Sequence, residues 1–555
     1  MLLFNRKKLK VLFIVLTYLR SEGNIGTYQD FPYGILSIIE HTKLLAEFEL
    51  LDIVIDDTLD GEWTKVVAAK LKDFNPDIVG ISVMFDNAYH CVQPTAALAK
   101  KLLKGDVIVV AGGPAVSPVA KEVLRSQESL DAICFSEGEK AFEDLLSAKD
   151  PLDLLTTHKT WVSRSDLATS EKPQKSLLAN LDGVSDVNFG LVDTQKYQAR
   201  ASFNPLLDNI DDHALLKLFP VVTSRGCPFE CSFCWHSGED DRSMRYASVD
   251  SVISHVKRLI KEYGANAISI YDDMFLLPKE RAKEIFKRLA EFDIRIELPN
   301  GLSPTYIDRE MIELMSAAGV RSIRLAIESG DEEVLHNIIN KPLRVKKIKP
   351  MVRIVQEFNI WIVGFFVVGL PGETDEQRRT TVNLIKDVGI DLSVLSIASP
   401  SVGSLLYEQC IENDYIPKPT EGEYAIRQSL GRGGGGGGKI STPDFSAEYI
   451  ADQAYLMNLE VNFVYNRRML NGESSLALKY FKYIVSTYPK HAFGHYFIAK
   501  ILLQMSKHEE ANKHIKMVQK ICKEDSNWLI YFKNFKITPL LTSLKNYPDR
   551  EVVIN

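Results

Sequence analysis

Two long stretches of this chain alternate short apolar runs with amphipathic helical patterns, a rhythm that few folds accommodate. Between residues 10 and 147 the candidate strands are Lys10–Leu16, Leu50–Ile55, Asp77–Val83, Asp106–Ala111 and Asp131–Phe135. Helical patterns such as Glu62–Phe74 and Val92–Leu103 separate them. Such alternation reads as a doubly wound, mostly parallel sheet. Ligands of these sheets sit beyond the carboxyl ends of the strands. Ser82 and the turn Ala111-Gly112-Gly113-Pro114 fall at those ends, where glycine lets a large ligand approach the backbone. No G-x-G-x-x-G opens the first helix, so a dinucleotide is not favoured.

Residues 151–215 are weakly periodic and read as a connecting segment. The alternation resumes with candidate strands Pro220–Thr223, Ala267–Tyr271, Ile294–Leu298, Ser322–Ile327, Trp361–Val368 and Leu392–Ala398. Six parallel β/α units of this kind predict a full or partial barrel over residues 216–415. Residues 416–445 hold the run GRGGGGGG at Gly431–Gly438, a flexible linker. Residues 446–555 read as a helical accessory domain. There Ala511-x-x-x-Ile515 returns 34 residues after Ala477-x-x-x-Phe481, the tetratricopeptide period.

The 555 residues carry a formal net charge of −7 with acid and base mixed throughout, and no basic tract marks a nucleic-acid groove. No stretch reaches the ~20 apolar residues of a membrane span. Arg6-Lys7-Lys8 before Val11–Leu16 superficially resembles a secretory signal, but the run is short and Arg20 and Glu22 follow. A buried first strand and a cytoplasmic location are the expectation.

Seven cysteines are too few for a disulfide scaffold in so long a chain. Cys91, Cys134, Cys410 and Cys522 are scattered and expected to be buried apolar residues. Cys227, Cys231 and Cys234 are spaced C-x3-C-x2-C. Three clustered thiolates suit an iron–sulfur cluster or zinc. Zinc requires a fourth ligand, for which His236 is the nearby candidate. On a four-iron cluster three thiolates leave one iron open.

With Phe233 before the last cysteine, the motif resembles that of the radical S-adenosylmethionine (SAM) superfamily. Further pieces fit: Tyr271-Asp272-Asp273-Met274-Phe275, Ala326-Ile327-Glu328-Ser329-Gly330, the segment from Gly364 to Thr374 containing Gly369-Leu370-Pro371-Gly372-Glu373, and Pro400-Ser401-Val402-Gly403-Ser404. Each lies at or just beyond the carboxyl end of a predicted strand, the rim where barrel enzymes assemble their sites. Upstream, Phe31-Pro32-Tyr33-Gly34-Ile35, Pro76 to Ser82, Gly112-Gly113-Pro114 and Glu137-Gly138-Glu139 resemble the cobalamin-binding domain carried by one subfamily. The resemblance covers roughly residues 8–147 and 218–410. It implies a Rossmann-like cobalamin-binding domain in residues 1–150, a partial TIM-type β/α barrel, and the C-terminal α-helical domain.

The resemblance further implies a [4Fe–4S] cluster on Cys227, Cys231 and Cys234, with SAM chelating the open iron and cleaved to a 5′-deoxyadenosyl radical. Phe233 belongs to the implied SAM site. Asp272 or Asp273 would bind the SAM ammonium and Glu328 the ribose, with Ser329 also in the SAM site. Val363–Pro371, with Gly369 and Pro371, would line the adenine. Ser82, Gly112, Gly113, Pro114, Glu137 and Gly138 would bind cobalamin. The D-x-H-x-x-G pattern that supplies a cobalt-ligating histidine elsewhere is absent, for Asp86 and His90 are four residues apart, so cobalt free of protein histidine is expected. The implied activity is methylation of an unactivated carbon or a phosphinate phosphorus through methylcobalamin, with rearrangement or cyclisation as the alternative. A sensor without turnover fits less well, because the strand-end motifs are intact. The implied partners are a small-molecule or peptide substrate and an electron donor such as flavodoxin or ferredoxin. No residue acting directly on the substrate is legible.

Overall fold

A computed structural model describes residues 8–16, 31–53, 63–84, 86–103, 107–197, 204–208, 216–234, 242–418 and 440–538. The Gly431–Gly438 run and His236 lie outside the described residues.

The first domain is built from β1 (Leu9–Val15), α1 (Tyr33–Thr42), β2 (Ala46–Asp52), α2 (Trp63–Phe74), β3 (Ile78–Ser82), α3 (Val92–Leu102), β4 (Ile108–Gly112), α4 (Ala120–Ser126), β5 (Ala132–Cys134) and α5 (Gly138–Ser147). A sixth strand, β6 (Trp161–Ser163), completes the sheet in the order β2-β1-β3-β4-β5-β6. Only β6 runs antiparallel. The order of the parallel strands is that of flavodoxin-like doubly wound sheets. Alternate residues of the inner strands feed two cores: Leu12, Ile14, Val79 and Val109 on one face, Val11, Phe13, Ile78 and Val110 on the other. Burial on both faces explains why these strands are near-continuous apolar runs.

Two elements depart from the sequence expectation. The second strand starts at Ala46, not Leu50, and the described part ends at Asp52. It is an edge strand, so its half-exposed pattern tolerates Glu47 and Glu49, the latter paired with Lys70. β6 lies within the stretch read as a connection, because three residues leave no periodic signal.

The central domain holds β7 (Leu218–Val221), β8 (Ser224–Arg225), β9 (Arg245–Tyr246), β10 (Ala267–Ile270), β11 (Arg295–Glu297), β12 (Ser322–Glu328), β13 (Trp361–Val368) and β14 (Leu392–Ile397). Parallel sheets β11-β10-β7 and β12-β13-β14 are joined by parallel bridges Ile296↔Val320 and Leu302↔Leu325. The result is a six-stranded open barrel with helices between the strands. The helix Val249–Tyr263 is capped by the Ser248 side chain and ended by left-handed Gly264. Helix Asp375–Val388 starts with a Thr374/Gln377 capping box.

An open barrel leaves an edge, and the C-terminal helices cover it. Asn462, in a π-helical turn Glu460–Val464, accepts from Ser393 N at 2.8 Å and donates to Ser393 O at 2.8 Å. Its amide thus stands in for the missing strand beside β14. Trp361 and Val363 of β13 pack into the core of helices Ser474–Thr487, Ala492–Gln504 and His508–Glu524, while Ile362, Phe366 and Val368 face the barrel's helical shell. Ala477 and Ala511, the two repeat positions, are both buried in that helical core. Among the described residues no helix is long and apolar enough to cross a membrane.

Candidate active site

The carboxyl ends of the two sheets meet. Phe31, just before α1, stacks on Tyr197 and on Phe219 of β7, with ring centroids 4.5 and 5.0 Å apart. Val402, beyond β14, packs on the first domain's core. Between these contacts lie the residues singled out in the sequence.

β8 and β9 pair antiparallel, Arg225 opposite Arg245, and close the neck of the loop that carries the three cysteines. Gly226 has φ +99°, and a Cβ there would lie 2.5 Å from Ser243 O, so the neck closes only around glycine. Ser232, between the second and third cysteines, donates from N to Ile339 O at 2.8 Å and from Oγ to Ile338 O at 2.7 Å, and accepts from Leu406 N at 2.8 Å. The loop is therefore seated on the segment after β12 and on helix Leu405–Glu412. Cys227, Cys231 and Cys234 are partly exposed; Cys91, Cys134, Cys410 and Cys522 are buried. Burial pushes the Cys227 and Cys231 thiols up to about 11, with Lys341 opposing the shift in both. Three soft donors on one loop suit iron–sulfur. Phe233 packs against the barrel core.

Asp272 and Asp273 part company. Asp272 is buried and accepts from Thr223 N at 2.6 Å, Thr223 Oγ1 at 2.5 Å and Ser224 Oγ at 2.7 Å. Burial raises its pKa against these bonds. It ties the end of β10 to the start of the cysteine loop, with both oxygens engaged by the protein. Asp273 is exposed and near enough to Cys227 to raise that thiol's pKa.

Glu328 ends β12 at φ +69°, a left-handed conformation that costs a carboxylate side chain roughly 1–3 kcal/mol and recurs at functional sites. A register shift between Ala326 and Glu328 accompanies it. Its Oε1 lies 2.9 Å from Lys341 Nζ, and both residues are buried. Lys341 carries no motif signal; only its position beside two thiols and Glu328 reveals it. Ser329 turns away: its Oγ meets Thr381 Oγ1 at 3.1 Å and accepts from Asp331 N at 3.2 Å, docking the strand end on helix Asp375–Val388. Gly369 donates from N to Glu373 at 2.7 Å, and Ile450 of the C-terminal helix Ala447–Leu459 leaves no room above it. Pro371 is buried in the same turn.

In the first domain Ser82 pairs with Gly112 at the ends of β3 and β4. Gly113 has φ +113°, and a Cβ would stand 2.5 Å from Val83 O. The close approach of Val83 thus requires glycine, and this ledge, with Pro114 exposed beside it, stands at the carboxyl end of the sheet, where doubly wound folds take their ligands. His90 is exposed, its Nε2 3.1 Å from Cys91 Sγ. Glu137 and Gly138 are engaged by protein. Glu137 meets Arg225 and Arg245, and a Cβ on Gly138 would strike Ile38 at 2.3 Å. Arg225, Arg245 and Lys341 were not singled out in the sequence, for isolated cations carry no spacing.

Comparison with known proteins gives this geometry a family. The model of the radical SAM superfamily matches residues 221–385, and that of the B12 binding domain matches residues 32–146. The first match spans all three cysteines, which sets the zinc alternative aside. An uncharacterized methyltransferase of Pyrococcus horikoshii, PH0819, is 27% identical over 385 residues, 69% of this chain and 79% of its own length. The cytidylyl-2-hydroxyethylphosphonate methyltransferase of Streptomyces wedmorensis is 26% identical over 424 residues, 71% of this chain and 76% of its own length. The cobalamin-dependent SAM radical enzyme OxsB, solved with aqua-cobalamin and SAM bound, superposes with a TM-score of 0.63 over 96% of this chain and 82% of its own, at 15% identity. That likeness establishes the shared fold. A [4Fe–4S] cluster, SAM and cobalamin are the cofactors that these two domain families bring. Residues 221–385 are a radical SAM domain and residues 32–146 a B12-binding domain, joined in one chain.

Proposed function

We propose that this protein is a cobalamin-dependent radical SAM methyltransferase that methylates an unactivated carbon, or a phosphinate phosphorus, of a small-molecule or peptide substrate. The observation that carries the reading is that the neck of the three-thiol loop is joined through Arg225 and Arg245 to Glu137 and Glu139, at the carboxyl end of the sheet that also bears Gly112-Gly113. Two of its curated relatives are methyltransferases by name, which favours methyl transfer over rearrangement. When bound, the cluster supplies the electron that cleaves SAM, and cobalamin supplies the methyl group. A cytoplasmic low-potential donor such as flavodoxin or ferredoxin would feed that electron.

The residues divide the work. Cys227, Cys231 and Cys234 hold the cluster, with Phe233 packing behind the loop. Glu328 accepts from the ribose hydroxyls, and its backbone strain holds the carboxylate at the rim. Lys341 faces the SAM carboxylate, and Asp273 rather than Asp272 takes the ammonium. Gly369 and Pro371 shape the adenine wall, while Ser329 acts by anchoring Glu328. Ser82, Gly112, Gly113 and Pro114 bear the corrin.

Anaerobic incubation of the reconstituted protein with candidate substrates and methyl-labelled SAM tests the reading. Mass spectrometry should find label on the substrate, with both 5′-deoxyadenosine and S-adenosylhomocysteine formed. A product isomerised or cyclised without label contradicts methyl transfer.

The cobalt is expected to lack a protein nitrogen. His90 is exposed and bonded to Cys91, and no D-x-H-x-x-G pattern replaces it. Electron paramagnetic resonance of the cob(II)alamin form should therefore show no nitrogen splitting that disappears in His90→Ala. Such a loss would put His90 on the metal.

A further inference from the structure

The loop that carries the cysteines is gripped at both ends by the cobalamin-binding domain. At its entry Arg225 donates from Nη2 to Glu139 Oε1 at 2.7 Å and to Ser37 Oγ at 3.0 Å, with Nη1 3.0 Å from Glu137 Oε2. At its exit Arg245 binds Glu137 with both terminal nitrogens, at 2.8 and 2.6 Å. Ser37 donates to Glu139 at 2.5 Å. Ser37 lies on α1, and Glu137 and Glu139 stand at the start of α5, directly after β5. That is the carboxyl end of the sheet, where such folds keep their ligand. Tyr33 is the further titratable group facing Arg225, its phenol raised by burial and held neutral. The network is charge-balanced, with two guanidiniums against two carboxylates.

Stability alone does not account for it. Buried ion pairs seldom stabilise a fold more than apolar residues of the same volume, and their best-attested use is to fix register. Here the pairs cross from one domain to the other, so the register they fix is that between the two domains. The pairs are also placed where leverage is greatest, because Arg225 stands two residues before Cys227 and pairs across the neck with Arg245. Bidentate arginine–carboxylate geometry sets angle as well as distance. Apolar contacts such as Phe31 on Phe219 glue the domains but leave the loop's tilt unspecified.

We infer that Arg225 and Arg245, through Glu137 and Glu139, are positioning residues that set the distance and tilt of the cysteine loop relative to the corrin ledge. The inference rests on the two-cofactor reading above. It gives Glu137 a task other than touching cobalamin: its carboxylate is shared by both arginines.

The test measures the distance between the two centres. In the wild-type holoprotein, reduced to hold a paramagnetic cluster beside cob(II)alamin, the cluster should speed relaxation of the cobalt resonance. Arg245→Gln is expected to lose most of that enhancement while retaining iron and cobalamin. Glu137→Gln combined with it should lose still more, since Glu137 also holds Arg225. Arg225→Lys, which keeps charge but not the fork, should lose part of the enhancement. Relaxation identical to wild type in Arg245→Gln and Arg225→Lys variants that hold both cofactors would overturn the inference. If Arg245→Gln does not fold, Arg245→Lys carries the same readout. Absence of bound cobalamin in the wild-type protein would sink the functional reading instead, so the two failures are distinguishable.

Discussion

Replacing any one of Cys227, Cys231 and Cys234 by Ala is expected to abolish SAM cleavage, with iron and sulfide lost after anaerobic reconstitution. The three thiols sit in a loop seated through Ser232 on the barrel, and they alone carry the C-x3-C-x2-C spacing. Cys91, Cys134, Cys410 and Cys522 are each buried in an apolar core. Their Ser or Ala variants should keep full iron content and show at most a packing loss, about 1–3 kcal/mol for a buried small side chain. A Cys410 variant that lost its iron would contradict the assignment.

The second large effect is expected at Glu328. Two charge-assisted hydrogen bonds to ribose hydroxyls are worth roughly 1.5–3 kcal/mol each. Solvent competition lowers the net, and Glu328→Ala should weaken SAM binding by about tenfold or more. The structure adds a consequence absent from a reading of the motif alone. Removing Glu328 leaves the buried Lys341 ammonium without its 2.9 Å partner. Breaking a buried pair from one side costs about 3–5 kcal/mol, so the Ala variant should also lose stability. Glu328→Gln keeps an acceptor and should fall between Ala and wild type in SAM affinity. SAM titration of the two reconstituted variants, alongside thermal unfolding, separates the effects. Wild-type affinity in the Ala variant would remove Glu328 from the site.

The alternation of apolar runs is enough to place ten strands, because strands buried on both faces read as unbroken Val, Ile and Leu. It failed where that physics is absent: at the half-exposed edge strand beginning at Ala46, and at the three-residue strand Trp161–Ser163. The cysteine triad and Glu328 were legible because spacing and motif carry chemistry. Asp272 and Ser329 show the limit of motif reading. Both stand in the expected segments, yet Asp272 is consumed by Thr223 and Ser224, and Ser329 by Thr381. A sequence names a segment at a rim but not which of its side chains turns inward. Glu137 is the same lesson across domains, for its partners lie 88 and 108 residues away in the chain.

The central claim is that one chain brings SAM and cobalamin to a shared site for methyl transfer. It is tested most directly without knowing the substrate. Protein reconstituted with iron, sulfide and cobalamin is reduced and given SAM bearing a deuterated methyl group, and its cobalamin is then extracted and weighed by mass spectrometry. Trideuteromethyl-cobalamin is expected, formed together with S-adenosylhomocysteine. Cobalamin that stays bound, is fully reduced and remains unlabelled while SAM is present would contradict the claim.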